Sequence, residues 1–267
     1  MSPVAIAFAF TLFAGLATGI GSLVALLARR TNTRFLAASL GFSAGVMIYV
    51  SFVEILRKAQ IMLSEALGAK TGAWAAVGAF FAGIAFIAIV DRLVPESGNP
   101  HEVRGPEDMV AGSPLPRAAL LRMGLLSAVA IGIHNFPEGV ATFVATLQDP
   151  KLGLPIAVAI AIHNIPEGIA VSVPVYYASG SRRQAFTYSF LSGLAEPVGA
   201  LLAFLLLQRF INGAVSGLLF GAVAGIMVFI SLDELLPTAQ RYGEHHVAIY
   251  GLLGGMAVMA LSLLLFL

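Results

Sequence analysis

The segment His134-Asn135-Phe136-Pro137-Glu138-Gly139 returns as His163-Asn164-Ile165-Pro166-Glu167-Gly168, 29 residues on (163 − 134 = 29), with one apolar position exchanged. Each copy sits inside a run of Ala, Val, Ile and Leu that is too apolar to face water. Ionisable groups are costly in hydrocarbon, so those found within a membrane segment are functional candidates. On a helix, residues three and four apart share a face. His134 therefore stacks on Glu138 with Asn135 beside them, and His163, Asn164 and Glu167 repeat the arrangement. Pro137 and Pro166 have no amide hydrogen for the carbonyls of Ile133 and Ile162, so both helices are expected to kink there. Gly139 and Gly168 remove bulk where the two helices approach.

The rest of the chain supplies the setting. It has 267 residues, 58% hydrophobic and 11% charged, against about a quarter charged in soluble domains. With about 20 residues per span, eight spans use roughly 160 residues, close to the apolar content. The expected spans are about 4–28, 34–57, 72–94, 118–147, 153–179, 184–209, 213–239 and 246–267. The reading is one all-α integral membrane domain over 1–267, with a proline-rich loop at about 95–117. The first cation is Arg29, so the N-terminal run reads as a retained helix rather than a cleaved signal. The absence of cysteine excludes disulfides and thiolate metal sites. A net charge of +1 gives no reason to expect a nucleic-acid partner.

Positive charge orients the bundle. Arg29, Arg30, Arg34, Arg92, Arg104, Arg117, Arg122, Arg182, Arg183 and Arg241 fall on one side, against Arg57, Lys58, Lys70, Lys151 and Arg209 on the other. The richer side is expected to be cytoplasmic, which places both termini outside.

Gly41–Leu56 resembles Gly221–Leu236 at an offset of 180, with Gly41, Ala44, Gly45, Met47, Ser51, Glu54 and Leu56 identical. These segments run in opposite senses, as do the two six-residue phrases. The expected architecture is thus an inverted repeat, helices 1–3 against 6–8, around a central helix 4/5 pair, with binding at the midplane. Gly41 with Gly45, Gly221 with Gly225, Gly15 with Gly19, and Gly251 with Gly255 have the spacing that lets helix backbones touch.

Two imidazoles, two amide oxygens and two carboxylates make a nitrogen/oxygen donor set suited to Zn²⁺, Fe²⁺ or Mn²⁺, and less to Cu(I). Glu196, followed by Pro197 near the middle of its span, is a third buried acid. Glu54, with Asp233 and Glu234 at the matching place in the repeat, gives each membrane face a cation collector. His101 with Glu102, Glu107 and Asp108, and His245 with His246, are more simply solvated residues. An integral-membrane metalloenzyme is disfavoured. The chain lacks the His-Glu-x-x-His phrase of zinc proteases and the Glu-x-x-His pairs of diiron bundles. A channel through the same bundle remains an alternative to a carrier.

Paired His-Asn-x-Pro-Glu-Gly phrases on consecutive helices resemble those of the ZIP (Zrt/Irt-like) family of metal transporters. The likeness extends to eight helices, the loop after helix 3, and Ser231-Leu232-Asp233-Glu234-Leu235-Leu236-Pro237. It implies uptake of Zn²⁺ and Fe²⁺, with Mn²⁺, Cd²⁺ and Co²⁺ as further cargo, across the inner membrane into the cytoplasm, and a homodimer in the bilayer. It also implies two adjacent ion positions. One uses His134, Glu138, His163 and Glu167; the other uses Asn135, Asn164 and Glu196, with Glu138 and Glu167 bridging. Other family members carry Asp where this chain has Asn164. Three carboxylates against two divalent ions leave a net +1 (2 × 2 − 3).

Overall fold

A computed structural model describes residues 2–27, 33–93, 117–148, 150–207, 212–242 and 245–265. All regular elements in it are helical: α1 (Pro3–Leu27), α2 (Thr33–Val50), α3 (Leu56–Leu67), α4 (Ala69–Leu93), α5 (Arg117–Gln148), α6 (Pro150–Ser179), α7 (Arg182–Gly193), α8 (Ala195–Leu202), α9 (Gly213–Ile230), α10 (Leu236–Tyr242) and α11 (His245–Leu265). Wider π turns at Ser51–Ile55 and Ser231–Leu235 join α2 to α3 and α9 to α10, and a third at Ala203–Leu207 follows α8. The first two lie 180 residues apart, the offset of the sequence repeat. Seven helical runs among the described residues are long and apolar enough to cross a bilayer; α5 is not one of the seven. The chain is therefore a multi-pass membrane protein.

The second span runs further than its apolar pattern suggests, from Arg34 to Leu67. Arg57 and Lys58 read as the membrane edge. The helix continues past them because Ala59, Met62 and Leu63 form a buried stripe at helical spacing. It stops at Gly68, whose φ of +85° suits a residue without a side chain. The helix holding Glu196 is interrupted at Leu194, between α7 and α8, two residues before the acid. By contrast, helical structure is continuous through Pro137 in α5 and Pro166 in α6.

Glycines set the helix pairing. A Cβ on Gly21 or Gly168 would collide with the backbone of Ile165 or Thr18, which seats α1 on α6. Gly139 and Gly199 seat α5 on α8 in the same way, against Glu196 and Phe136. Gly41 and Gly45 bring α2 against Ala248 and Leu252 of α11, while Gly225 and Gly83 join α9 to α4. Residue numbers rise together from Ala14–Asn164 to Thr18–Gly168, from Gly41–Ala248 to Gly45–Leu252 and from Ala76–Gly221 to Phe80–Gly225, so α1/α6, α2/α11 and α4/α9 run parallel. Gly15 of α1 and Gly193 of α7 meet each other's carbonyls, and there the pairing is antiparallel. Small residues allow this because lipid gives helices no hydrophobic reason to associate, and close packing must do so.

The exterior is apolar, and the interior takes polar groups beside its hydrophobic core. Trp74 is 71% exposed and Phe81 60%, whereas Thr11, Thr18, Ser22, Ser43, Ser189 and the His, Asn and Glu residues of the two phrases are buried. One end of the α1/α5/α8 cluster is closed by Phe8, Phe143 and Phe204, with ring centres 4.9–6.2 Å apart. Between α5/α8 and α4/α9 lies a groove of about 910 Å³ with apolar walls, including Phe136, Pro137 and Val223. On the opposite flank α2 packs directly on α6, and the Ser43 hydroxyl donates to the His163 carbonyl at 3.3 Å.

Candidate metal centre

The antiparallel crossing of α5 and α6 brings the two phrases face to face. His163 Nε2 lies 3.1 Å from Glu138 Oε2, a hydrogen bond whose proton position depends on the ring tautomer. His134 Nε2 lies 3.3 Å from Glu167 Oε2, within ion-pair distance but out of line for a hydrogen bond. The two contacts are reciprocal: each imidazole reaches the carboxylate of the other helix, since 134 + 167 = 138 + 163. All four side chains are buried.

The asparagines turn to the flanking helices. Asn135 Nδ2 donates to the Ser192 carbonyl of α7 at 3.3 Å. Asn164 Nδ2 donates to the Ala14 carbonyl of α1 at 2.9 Å and to Glu196 Oε1. The interruption at Leu194 carries Glu196 into the bundle, fully buried, beside Asn164. The contacts thus pair His134 with Glu167, His163 with Glu138 and Asn164 with Glu196, while Asn135 is held by Ser192.

Many acceptors in that cluster have no hydrogen-bond donor. Asn135 Oδ1, Asn164 Oδ1, Glu138 Oε1, Glu167 Oε1 and Glu196 Oε2 are buried with none. A buried carboxylate oxygen without a donor is costly. Several such oxygens buried on neighbouring helices, with two imidazoles, make a donor set that suits a divalent cation. Among the described residues, no three His, Asp or Glu side chains stand spread for an ion as they are. The imidazoles and carboxylates close on each other, and a cation would enter by parting those pairs.

Of the acids nearer the membrane faces, Glu234 is near enough to His134 to act on it electrostatically. Glu54 falls in the π turn Ser51–Ile55, and with Lys58, Gln148 of α5 and Ile156 of α6 it lines a small crevice. Asp233 and Glu234 fall in the matching turn Ser231–Leu235, with Asp233 exposed and Glu234 buried. Such one-turn π segments are frequent at functional sites. His245 and His246 meet edge to face, with His246 near Tyr250, at an exposed helix start. The loop at about 95–117, with His101, Glu102, Glu107 and Asp108, lies outside the described residues apart from Arg117.

The sequence reading missed the residues that hold the asparagines and the helix backbones. Ser189 donates to the Gly168 carbonyl at 3.1 Å, and Ser43, Ser192 and Ala14 act as described above. One signal was available. Gly15 and Gly21 recur as Gly193 and Gly199 at a common offset of 178, which aligns Ala14 with Ser192.

A family model described as ZIP Zinc transporter matches residues 100–263. Over 263 residues the chain is 63% identical to a protein named Zinc transporter ZupT from Lysinibacillus sphaericus, covering 98% of each. A Zinc transporter ZupT from Nitratidesulfovibrio vulgaris is 62% identical over 271 residues, with 99% of this chain and 98% of that one covered. One from Streptococcus mutans is 59% identical over 260 residues, covering 97% of each. On likeness of this extent, the chain belongs to the ZIP zinc transporter family.

Proposed function

We propose that the chain carries Zn²⁺ across a cell membrane into the cytoplasm through the cluster between α5 and α6. The carrying observation is the reciprocal pair of imidazole–carboxylate contacts, at 3.1 and 3.3 Å, buried among acceptor oxygens that lack donors. His134, Glu138, His163 and Glu167 hold one ion. Asn135, Asn164 and Glu196 hold a second, with Glu138 and Glu167 shared between the two. Relatives of 59–63% identity bear the name Zinc transporter. Fe²⁺, Mn²⁺, Co²⁺ and Cd²⁺ fit the same donors, since nitrogen and oxygen ligands do not choose sharply among them.

We count α5 as the eighth span, and read helices 1–3 and 6–8 as inverted copies around α5 and α6. Three offsets support this reading: 178 between α1 and α7/α8, 180 between α2 and α9, and 29 between α5 and α6. The helix pairs exchange under them. Gly21 on Ile165 becomes Gly199 on Phe136, and Gly168 on Thr18 becomes Gly139 on Glu196. Inverted repeats favour a carrier that alternates access over a fixed pore. Glu54 receives ions at one face, and Asp233 with Glu234 releases them at the other. Both termini face outward from the inner membrane, following the arginine bias. A homodimer in the bilayer completes the proposal.

The test is ⁶⁵Zn²⁺ uptake into proteoliposomes. Wild type is expected to show saturable uptake and counterflow, and the Glu138→Ala/Glu167→Ala variant neither. Equal uptake by both proteins refutes the assignment, and an unsaturable ohmic current refutes the carrier.

A further inference from the structure

We infer that Thr18 of α1 supplies a further oxygen to the second ion position, and that it thereby sets preference for oxygen-seeking cations. The inference rests on the metal assignment proposed above and adds a ligand to it.

Thr18 is fully buried, and its Oγ1 has no hydrogen-bond partner. A threonine within a helix ordinarily bonds back to the carbonyl four residues earlier. Thr11 does so to Ala7 at 2.9 Å, and Thr146 to Thr142 at 2.7 Å. The carbonyl within reach of Thr18 in this way is that of Ala14, which accepts from Asn164 Nδ2 instead. The Thr18 hydroxyl is thus a buried polar group held beside the site with its hydrogen-bonding capacity unused.

Its position matches that of a ligand. Ala14 and Ser192 play the same part, each accepting the amide of one asparagine, and they are 178 residues apart. Gly168 lies on the Thr18 backbone as Gly139 lies on that of Glu196, with the same separation. Where one half of the bundle carries a carboxylate, the other carries this hydroxyl. Gly193 leaves room for it, since a Cβ there would sit 2.8 Å from Thr18 Oγ1. The neighbouring Ser192 holds Asn135, whose Oδ1 also lacks a donor. Under the offsets of 29 and 178 residues, Asn135 and Thr18 correspond to Asn164 and Glu196.

A hydroxyl adds a hard neutral oxygen and no charge. The second position then holds its cation through oxygen alone, which favours Mn²⁺ and Fe²⁺ over the softer Cd²⁺.

The test is calorimetric titration of the full chain in detergent with Mn²⁺ alone and Cd²⁺ alone, for wild type, Thr18→Val and Thr18→Ser, together with ion-free melting curves. Thr18→Val is expected to weaken the second Mn²⁺ binding event by roughly 10- to 100-fold, the usual cost of disturbing a supporting metal contact. It should leave the first event and Cd²⁺ binding in place, and ion-free melting unchanged or raised, because an unbonded hydroxyl is lost. Thr18→Ser should behave as wild type. Unchanged Mn²⁺ binding in Thr18→Val overturns the inference, as does a fall in ion-free melting that accounts for the weaker binding. If wild type binds neither ion, the metal assignment itself fails, and this inference with it.

Discussion

Replacing Asn164 with Asp should separate the stability of the ion-free protein from its response to metal. The Asn164 amide donates to the Ala14 carbonyl at 2.9 Å and to Glu196 Oε1. Aspartate keeps the shape and removes both donors. The neutral bond contributes about 1 kcal/mol, and the bond to a carboxylate about 1.5–3 kcal/mol. Repulsion between two facing carboxylates adds to the loss. A total of roughly 3–4 kcal/mol lowers the melting temperature of a chain this long by on the order of 10 °C. Two bound divalent ions reverse the sign of the effect. Four carboxylates then meet four positive charges, where the wild type is left at +1. The assay is melting in detergent, followed by fluorescence, with and without saturating Zn²⁺. The expected result is a lower ion-free midpoint and a larger zinc-induced rise than wild type. A zinc-induced rise no larger than that of wild type would refute the reasoning.

Glu138→Gln and Glu167→Gln each break one reciprocal contact while keeping volume, and each should abolish ⁶⁵Zn²⁺ uptake in vesicles with the protein still folded by circular dichroism. Gly21→Ala and Gly199→Ala press a methyl group into the backbone of Ile165 and Phe136. Each should cost about 1–3 kcal/mol, read as earlier thermal unfolding. Ser43→Ala removes the hydroxyl contact from α2 to the His163 carbonyl, at 3.3 Å. It should cost about 0.5–1.5 kcal/mol of stability and change the rate of zinc uptake more than its half-saturation concentration, as stopped-flow with a trapped zinc dye would show.

The sequence exposes the chemistry of the site better than the contacts that position it. His134, Glu138, His163 and Glu167 are legible because helical spacing stacks them and a second copy removes coincidence. Glu196 is legible as an acid stranded in an apolar run, and Pro197 after it signals the kink that the structure shows as an interruption at Leu194. No residue type in Ser51–Ile55 or Ser231–Leu235 marks the π turns there. The extension of the second span to Leu67 was hidden by Arg57 and Lys58, which look like a membrane edge, while the buried stripe beyond them depends on α4 and α9. Thr18 could not be singled out alone, since threonine is ordinary in membrane helices. It stands out once Asn164 is seen to occupy the carbonyl it would otherwise use.

Crystals of the full chain grown with Zn²⁺ or Cd²⁺, and an anomalous difference map at the metal edge, test the central claim most directly. The account predicts a strong peak among His134, Glu138, His163 and Glu167, and a second, weaker one flanked by Asn135, Asn164 and Glu196. A map with no peak between α5 and α6 would contradict it.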